Sequence, residues 1–228
     1  MGLTGGLGPA SASGGGGGGG VQNLFKLDFV TTDVKVFVKD TTITEFPMVD
    51  TSMVNTATGM FKGCSKLETI PLLKMPKIDS MRDMFSGCSM LKTLPQLDTS
   101  KIVDMSYMFS SCHSLEESPG FDTSKVASMY SMFSGCTSLK TVDMDVSSCT
   151  NLGSVFSNCH SLGTILLKGL QTTIQMKFRV PKENVLYIFE NAQTVTNSSK
   201  ITLHADVFAQ LTEDEIAIAT EKGFSVVG

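Results

Sequence analysis

Apolar and polar positions recur in register from Phe46 to Lys168. With the phenylalanine of a Met-Phe-x-Gly-Cys unit as anchor, Phe61, Phe85, Phe109 and Phe133 follow one another at 24 residues and Phe156 follows at 23. A cysteine stands three residues after each anchor (Cys64, Cys88, Cys112, Cys136 and Cys159), and a leucine three residues beyond it (Leu67, Leu91, Leu115, Leu139 and Leu162). Prolines at 47, 71, 95 and 119 and aspartates at 50, 98, 122 and 145 keep the same step. A unit this short cannot bury its own apolar side, so the repeat predicts copies that cover one another.

Each copy divides into two elements. Ile102, Met105, Met108, Phe109 and Cys112 fall within an arc of about 120° at 100° per residue, which predicts a helix with one buried face. The segment Asp98-Thr99-Ser100 supplies side-chain oxygens for the first turn of such a helix. Gly63, Gly87 and Gly135, with Ser111 and Asn158 in the same column, stand where a helix ends in a left-handed residue. Next, Leu91 to Pro95 predicts one short strand, parallel to its counterparts and ended by a residue without an amide donor. The column Glu68, Lys92, Glu116, Lys140 alternates in sign, so stacking in register pairs opposite charges, at about 0.2 to 1 kcal/mol each. The predicted fold class is α/β: a leucine-rich-repeat solenoid with one short parallel strand and one helix per 24-residue coil, capped at both ends.

Outside the repeat the pattern changes. Residues 1–20 include the unbroken glycine run from Gly14 to Gly20 and no charged side chain, and read as a flexible glycine-rich tether, with packing into a larger assembly as the alternative. Residues 21–45, with Leu24, Leu27, Phe29, Val34, Val36 and Val38 alternating at period two, read as an N-terminal cap. Residues 46–168 form the solenoid and 169–228 a degenerate coil and C-terminal cap. In that last segment Gly169 to Val180 alternates weakly, as a hairpin would, and Val185, Ile188, Phe189 and Ala192 mark a helix face. Ile201 to Leu203 reads as a strand, Thr212 to Glu215 as a capping box opening a helix with Ile216 and Ala219, and Phe224 to Val227 as a last strand.

The columns resemble those of the BspA-like leucine-rich-repeat proteins of bacterial surfaces and gut phage. The resemblance covers residues 46–168, through Met84-Phe85-Ser86-Gly87-Cys88 up to Leu91 and Met132-Phe133-Ser134-Gly135-Cys136 up to Leu139, and extends to the tail from Ile201 to Phe224. It implies adhesion and binding to host proteins or other cells, and it carries no residue-level binding motif.

Composition narrows the chemistry. The 228 residues carry a net charge of −4, and Arg82 and Arg179 are the only arginines, which argues against nucleic acid as a partner. No apolar run reaches the 18 to 20 or so residues that cross a bilayer, and the start of the chain has no secretory pattern, so neither membrane insertion nor a Sec signal is expected.

The groups that could carry chemistry each have a plainer role. Five of the six cysteines share one column and Cys149 takes the slot of Ile102 and Val126, so buried reduced thiols are expected rather than disulfides or metal ligands. His113 and His160 each follow a column cysteine, where adjacent side chains point apart, and with His204 they read as surface residues rather than members of a Cys-His pair. The aspartate column is explained by capping before calcium binding. Met60, Met81, Met84, Met105, Met108, Met129 and Met132 read as core filling before a metal path. The Lys77, Lys101, Lys125 column reads as a solvated face before a ligand site. The sequence therefore points to no catalytic residue, no cofactor and no metal, and leaves the binding residues unread.

The function expected is a non-enzymatic adhesion or recognition module, displayed on a phage virion or bacterial surface and binding a host surface protein or glycan through the solenoid. Residues 1–20 would join it to the parent particle. The alternative is a purely structural virion subunit, an appendage or decoration protein anchored by the glycine-rich arm.

Overall fold

The buried phenylalanines of the repeat stack ring on ring and set the copies side by side. In the computed structural model, which describes residues 39, 41–46, 51–52 and 54–228, the ring centroids of Phe61 and Phe85 lie 5.4 Å apart, those of Phe85 and Phe109 5.7 Å, of Phe109 and Phe133 5.6 Å, and of Phe133 and Phe156 6.2 Å. The planes are within 14° of parallel in all four pairs. The cysteine and leucine columns and the seven methionines are buried with them in one continuous core. The readings of residues 1–20, most of 21–45, Pro47 and Asp50 fall outside the described residues.

The expected helix in each copy is not formed: no α-helix occurs between residues 54 and 180. Two columns per copy prevent it by taking left-handed backbone. Two residues before each anchor stand Gly59, Asp83, Tyr107, Ser131 and Ser154, with φ of 65°, 57°, 59°, 53° and 55°. Two residues after it stand Gly63, Gly87, Ser111, Gly135 and Asn158, with φ of 79°, 79°, 62°, 78° and 61°. A right-handed helix cannot run through such residues, and the chain instead makes consecutive tight turns.

In the third copy, the amides of Met108, Ser110 and Cys112 donate back to Met105, Tyr107 and Phe109 carbonyls at 3.1, 3.0 and 3.0 Å. The amides between them, on Tyr107, Phe109 and Ser111, donate forward to Tyr130, Met132 and Ser134 of the next copy at 2.8, 2.9 and 2.7 Å. A buried amide must find an acceptor, and here half the acceptors belong to a neighbour. The apolar spacing that suggested a helix is satisfied equally by this rib of turns, because both place Met105, Met108, Phe109 and Cys112 inward.

The opposite side of each copy carries the expected parallel pairing, in shorter form. Strands β1 (Thr141–Asp145) and β2 (Thr164–Lys168) pair in parallel with Thr141 opposite Thr164. Earlier copies form no named strand here; they meet in isolated parallel bridges, Glu45 with Thr69 and Glu117 with Thr141, and in single backbone bonds such as Lys92 to Glu68, in keeping with the prolines at 71, 95 and 119, which have no amide to offer a ladder. The register starts one copy before the first complete one. Lys39, in left-handed backbone (φ 62°), donates its amide to Lys62, and Thr44 accepts from Glu68.

The chain after β2 changes architecture. β3 (Ile174–Met176) pairs in parallel with β4 (Lys200–Leu203), and β4 with β5 (Ser225–Val227). The weak alternation from Gly169 to Val180 is therefore a single strand, not a hairpin: its partner arrives after α1 (Lys182–Asn191), which buries Val185, Ile188 and Phe189 as expected. A four-residue helix, α2 (Ala205–Phe208), precedes α3 (Glu213–Thr220). The capping box of α3 forms as read: Thr212 Oγ1 accepts from the Glu215 amide, and Glu215 accepts from the Thr212 amide. The fold is thus mixed α/β, with short parallel strands, few helices and no closed barrel among the described residues.

Two substitutions test this packing. Leu115 is 1% exposed within the leucine column, so Leu115→Ala is expected to lower unfolding free energy by about 2 to 5 kcal/mol in urea titration; a change under about half a kilocalorie would contradict the shared core. Ser111 occupies the left-handed slot that glycine fills at 63, 87 and 135. Ser111→Gly should raise stability by about 0.5 to 1 kcal/mol, the left-handed penalty less glycine's extra chain entropy, and a lower denaturation midpoint would contradict it.

Candidate recognition surface

The stacking that buries one set of columns presents another to solvent. Three residues before the anchors of the second, fourth and fifth copies stand Arg82, Tyr130 and Gly153, and two before the third anchor stands Tyr107. The Arg82 guanidinium lies 5.1 Å from the centre of the Tyr107 ring. The Tyr107 and Tyr130 rings meet edge to face at 5.3 Å. A Cβ at residue 153 would come within 2.9 Å of the Tyr130 ring, so Gly153 leaves the space that ring occupies. Arg82 is held by Asp83 and Asp104, each at 3.7 Å. The result is a stripe across successive copies of the exposed Arg82, the half-buried Tyr107 ring beneath it and the Tyr130 ring, which is 37% exposed. The sequence reading missed it, although the spacing of Arg82, Tyr130 and Gly153 follows the repeat; three unlike residues make no visible column until stacking brings them together.

A second opening lies on the strand side. Lys92 donates its amide to Glu68 and Lys140 to Glu116, but the equivalent bond from Glu116 to Lys92 is not formed. The side chains pair in the same way: Lys92 with Glu68 at 3.1 Å and Lys140 with Glu116 at 2.6 Å, with no bridge from Lys92 to Glu116. The expected alternating ladder is thus two separate pairs. Between them a cleft of about 480 Å³ opens, lined by Thr93, Leu94, Ser114, Glu116, Glu117 and Ser118 among others.

The cysteines, histidines, aspartates and lysines of the repeat have structural positions. All six cysteines are free and buried. The Sγ of Cys88, Cys112, Cys136 and Cys159 each donates to the anchor carbonyl of the preceding copy, at 3.1, 3.1, 3.0 and 3.0 Å. Burial pushes the thiols of Cys88, Cys112 and Cys136 well up, and that of Cys159 up to about 12. Cys112 thus points inward while His113 is exposed, and His160 is exposed likewise. His204 begins α2, where its Nδ1 accepts from the Asp206 amide at 3.2 Å.

The aspartates do not cap helices, since none follow. Asp98 accepts from the amide and hydroxyl of Ser100 at 3.1 and 2.7 Å, and Asp122 does the same with Ser124 at 3.0 and 2.6 Å. These bonds, the serine hydroxyl first, hold both carboxyls below the usual carboxylate range. Of the lysine column, Lys101 donates to the Pro76 carbonyl across the copies at 3.1 Å. No helix among the described residues is long and apolar enough to cross a membrane.

The thiol column gives a direct test. A thiolate is the reactive form, and burial disfavours it, so the folded chain at pH 8 should react only slowly with an aromatic disulfide reagent and all six thiols should react once it is unfolded. Rapid modification of the native chain would place at least one thiol at the surface.

No curated protein and no solved structure matches the chain. One family model does, in three overlapping alignments over residues 23–120, 55–169 and 79–201. The last two begin at residues 55 and 79, a difference of 24 and therefore one repeat of the anchor. BspA-like repeat proteins are related to this family. With its stacked columns and these matches over most of its length, the chain belongs to the DUF285 family, described as Mycoplasma protein of unknown function.

Proposed function

We propose that the chain is a non-enzymatic recognition module, a leucine-rich-repeat solenoid that binds a host surface protein or glycan through its outer side. The observation that carries this reading is the stripe of Arg82, Tyr107 and Tyr130. Tyrosine and arginine dominate the energetics of recognition because they offer large contact area with few rotamers to freeze. Here the partners are already fixed against one another, which lowers the ordering cost of binding. A solenoid extends such a surface copy by copy, and planar rings beside a cation suit either a peptide segment or the apolar face of a sugar.

In this reading the module is displayed on a phage virion or a bacterial surface, and residues 1–20 join it to the parent particle. The flanking segments 21–45 and 169–228 act as caps of the solenoid.

The experiment is a comparison of the labelled full chain with an Arg82→Ser/Tyr130→Ser double variant on a glycan array and on immobilised host-cell surface protein. Saturable binding by the parent chain is expected, and about thirtyfold weaker binding by the variant, the loss of about 2 kcal/mol. The denaturation midpoint should stay close to that of the parent, because both side chains are exposed. Equal binding by the two chains, or none by either, would refute the proposal.

A further inference from the structure

One seam on the strand side of the stack stays open along its middle. In the seam that follows it, the Lys140 amide donates to the Glu116 carbonyl at 2.7 Å and the Ser118 amide to the Thr141 carbonyl at 3.0 Å. One repeat earlier the same two bonds would run from Glu116 to Lys92 and from Leu94 to Glu117, and neither is formed. The open stretch is held at its two ends, where the Ser114 amide donates to the Ser89 carbonyl at 3.0 Å and Gln96 Nε2 to the Gly120 carbonyl at 2.8 Å. Just beyond, Thr99 is 2% exposed and its hydroxyl has no partner, although Thr51 and Thr123 in the same column donate across the copies to Lys74 at 3.0 Å and Asp145 at 2.7 Å. The rib of these copies is intact, with Phe85 donating to Met108 at 2.9 Å and Gly87 to Ser110 at 2.7 Å. The opening is therefore confined to the strand side.

The cleft of about 480 Å³ occupies this gap, and both of its walls line it: Lys92, Thr93 and Leu94 on one side, Glu116 and Glu117 on the other. Ligand pockets span roughly 300 to 1,000 Å³. The main-chain groups that fail to meet are the Lys92 carbonyl and Leu94 amide on one wall and the Glu116 amide and Glu117 carbonyl on the other, so each wall offers a donor and an acceptor. Two residues of extended chain cover ~6.6 Å, the interval at which one edge of a strand presents successive groups. An extended peptide carries donors and acceptors at that same interval. Leu94, Leu115 and Pro119 add apolar surface for its side chains, and no aromatic ring lines the cleft for a sugar to stack on. The charges are unequal. Lys92 is paired with Glu68 at 3.1 Å and Glu116 with Lys140 at 2.6 Å, whereas exposed Glu117 makes no ion pair with a described residue.

We propose that this cleft binds an extended peptide segment of a partner protein by strand addition, with a lysine or arginine of the segment against the Glu117 carboxylate. An unpaired strand edge is a template for such pairing, and in strand addition main-chain bonds supply affinity while side-chain contacts supply specificity. The unmet groups need not converge on one point, because the segment runs along the walls as a neighbouring strand would. The site shares no residue with the stripe of Arg82, Tyr107 and Tyr130 and does not depend on it.

The test is titration of the ¹⁵N-labelled full chain with three pools of blocked hexapeptides. Each pool varies Val, Thr, Leu and Ser around a fixed central residue: lysine in the first, glutamate in the second, and lysine with every peptide amide N-methylated in the third. Saturable amide shifts centred on residues 92–94 and 116–118 are expected from the lysine pool, at about tenfold lower concentration than from the glutamate pool, and none from the methylated pool. Glu117→Lys should reverse the preference between the first two pools without moving the denaturation midpoint, since the side chain is exposed. Glu190→Lys, the same charge change at an exposed site outside the cleft, should leave the preference as it was. Absence of saturable shifts at the cleft from the lysine pool, equal binding of the methylated pool, or equal effects of Glu117→Lys and Glu190→Lys would overturn the proposal. So would shifts at these residues from maltohexaose in place of the peptides, which would make the cleft a glycan site.

Discussion

Each repeat divides its backbone amides between itself and its neighbour, and the rest of the molecule depends on that division. Along one rib, alternate N–H groups close tight turns within the copy and the others reach carbonyls of the next. An α-helix in the same place would satisfy its amides internally and hold its neighbours by side-chain packing alone. The rib couples copies through hydrogen bonds and through stacked rings together, so a copy lacking its successor loses both acceptors and apolar cover. Left-handed residues at two columns make the division geometrically possible, and the sequence meets the demand with glycine at some copies and with Asp83, Tyr107, Ser131, Ser154 or Asn158 at others.

The same constraint decides where the surface carries information. Columns that face inward must stay alike, because each ring, thiol and leucine packs against its counterpart one copy away. Outward columns are released from that demand, and Arg82, Tyr107, Tyr130 and Gly153 differ from one another while still forming one stripe. The strand side is held less uniformly: with proline in three of its copies, its pairing falls to isolated bridges and opens into a cleft between Lys92 and Glu116. The last copy is the other place where the rule lapses, since β3 turns to β4 instead of completing the rank of acceptors.

Much of this was legible from residue spacing. The anchor, cysteine and leucine columns announced the stacking and the core, and Glu68 with Lys92 and Glu116 with Lys140 form the pairs their spacing implied. The capping box at Thr212 and Glu215 was plain because it is a local arrangement of four residues. The spacing does not separate a helix from the rib that forms: the inward spacing of Met105, Met108, Phe109 and Cys112 fits a helix and a rib of turns equally well. What distinguishes them is backbone handedness at positions such as Tyr107 and Ser131, residue types that carry no left-handed signature. Glycine at 63, 87 and 135 signals left-handed backbone, but that signal suits the end of a helix as well as one of two reversals within a rib.

The sequence by itself determined that a short unit is copied and which side chains it buries, because periodic burial needs only a fixed number of residues between like positions. The tertiary structure alone decided where the amides go, that β3 joins β4 across an intervening helix, and that an arginine and two tyrosines from three copies share one stripe. Those outcomes turn on hydrogen-bond direction and backbone handedness, which depend on the neighbouring copy being in place and therefore leave no mark in the spacing of residues along a single copy.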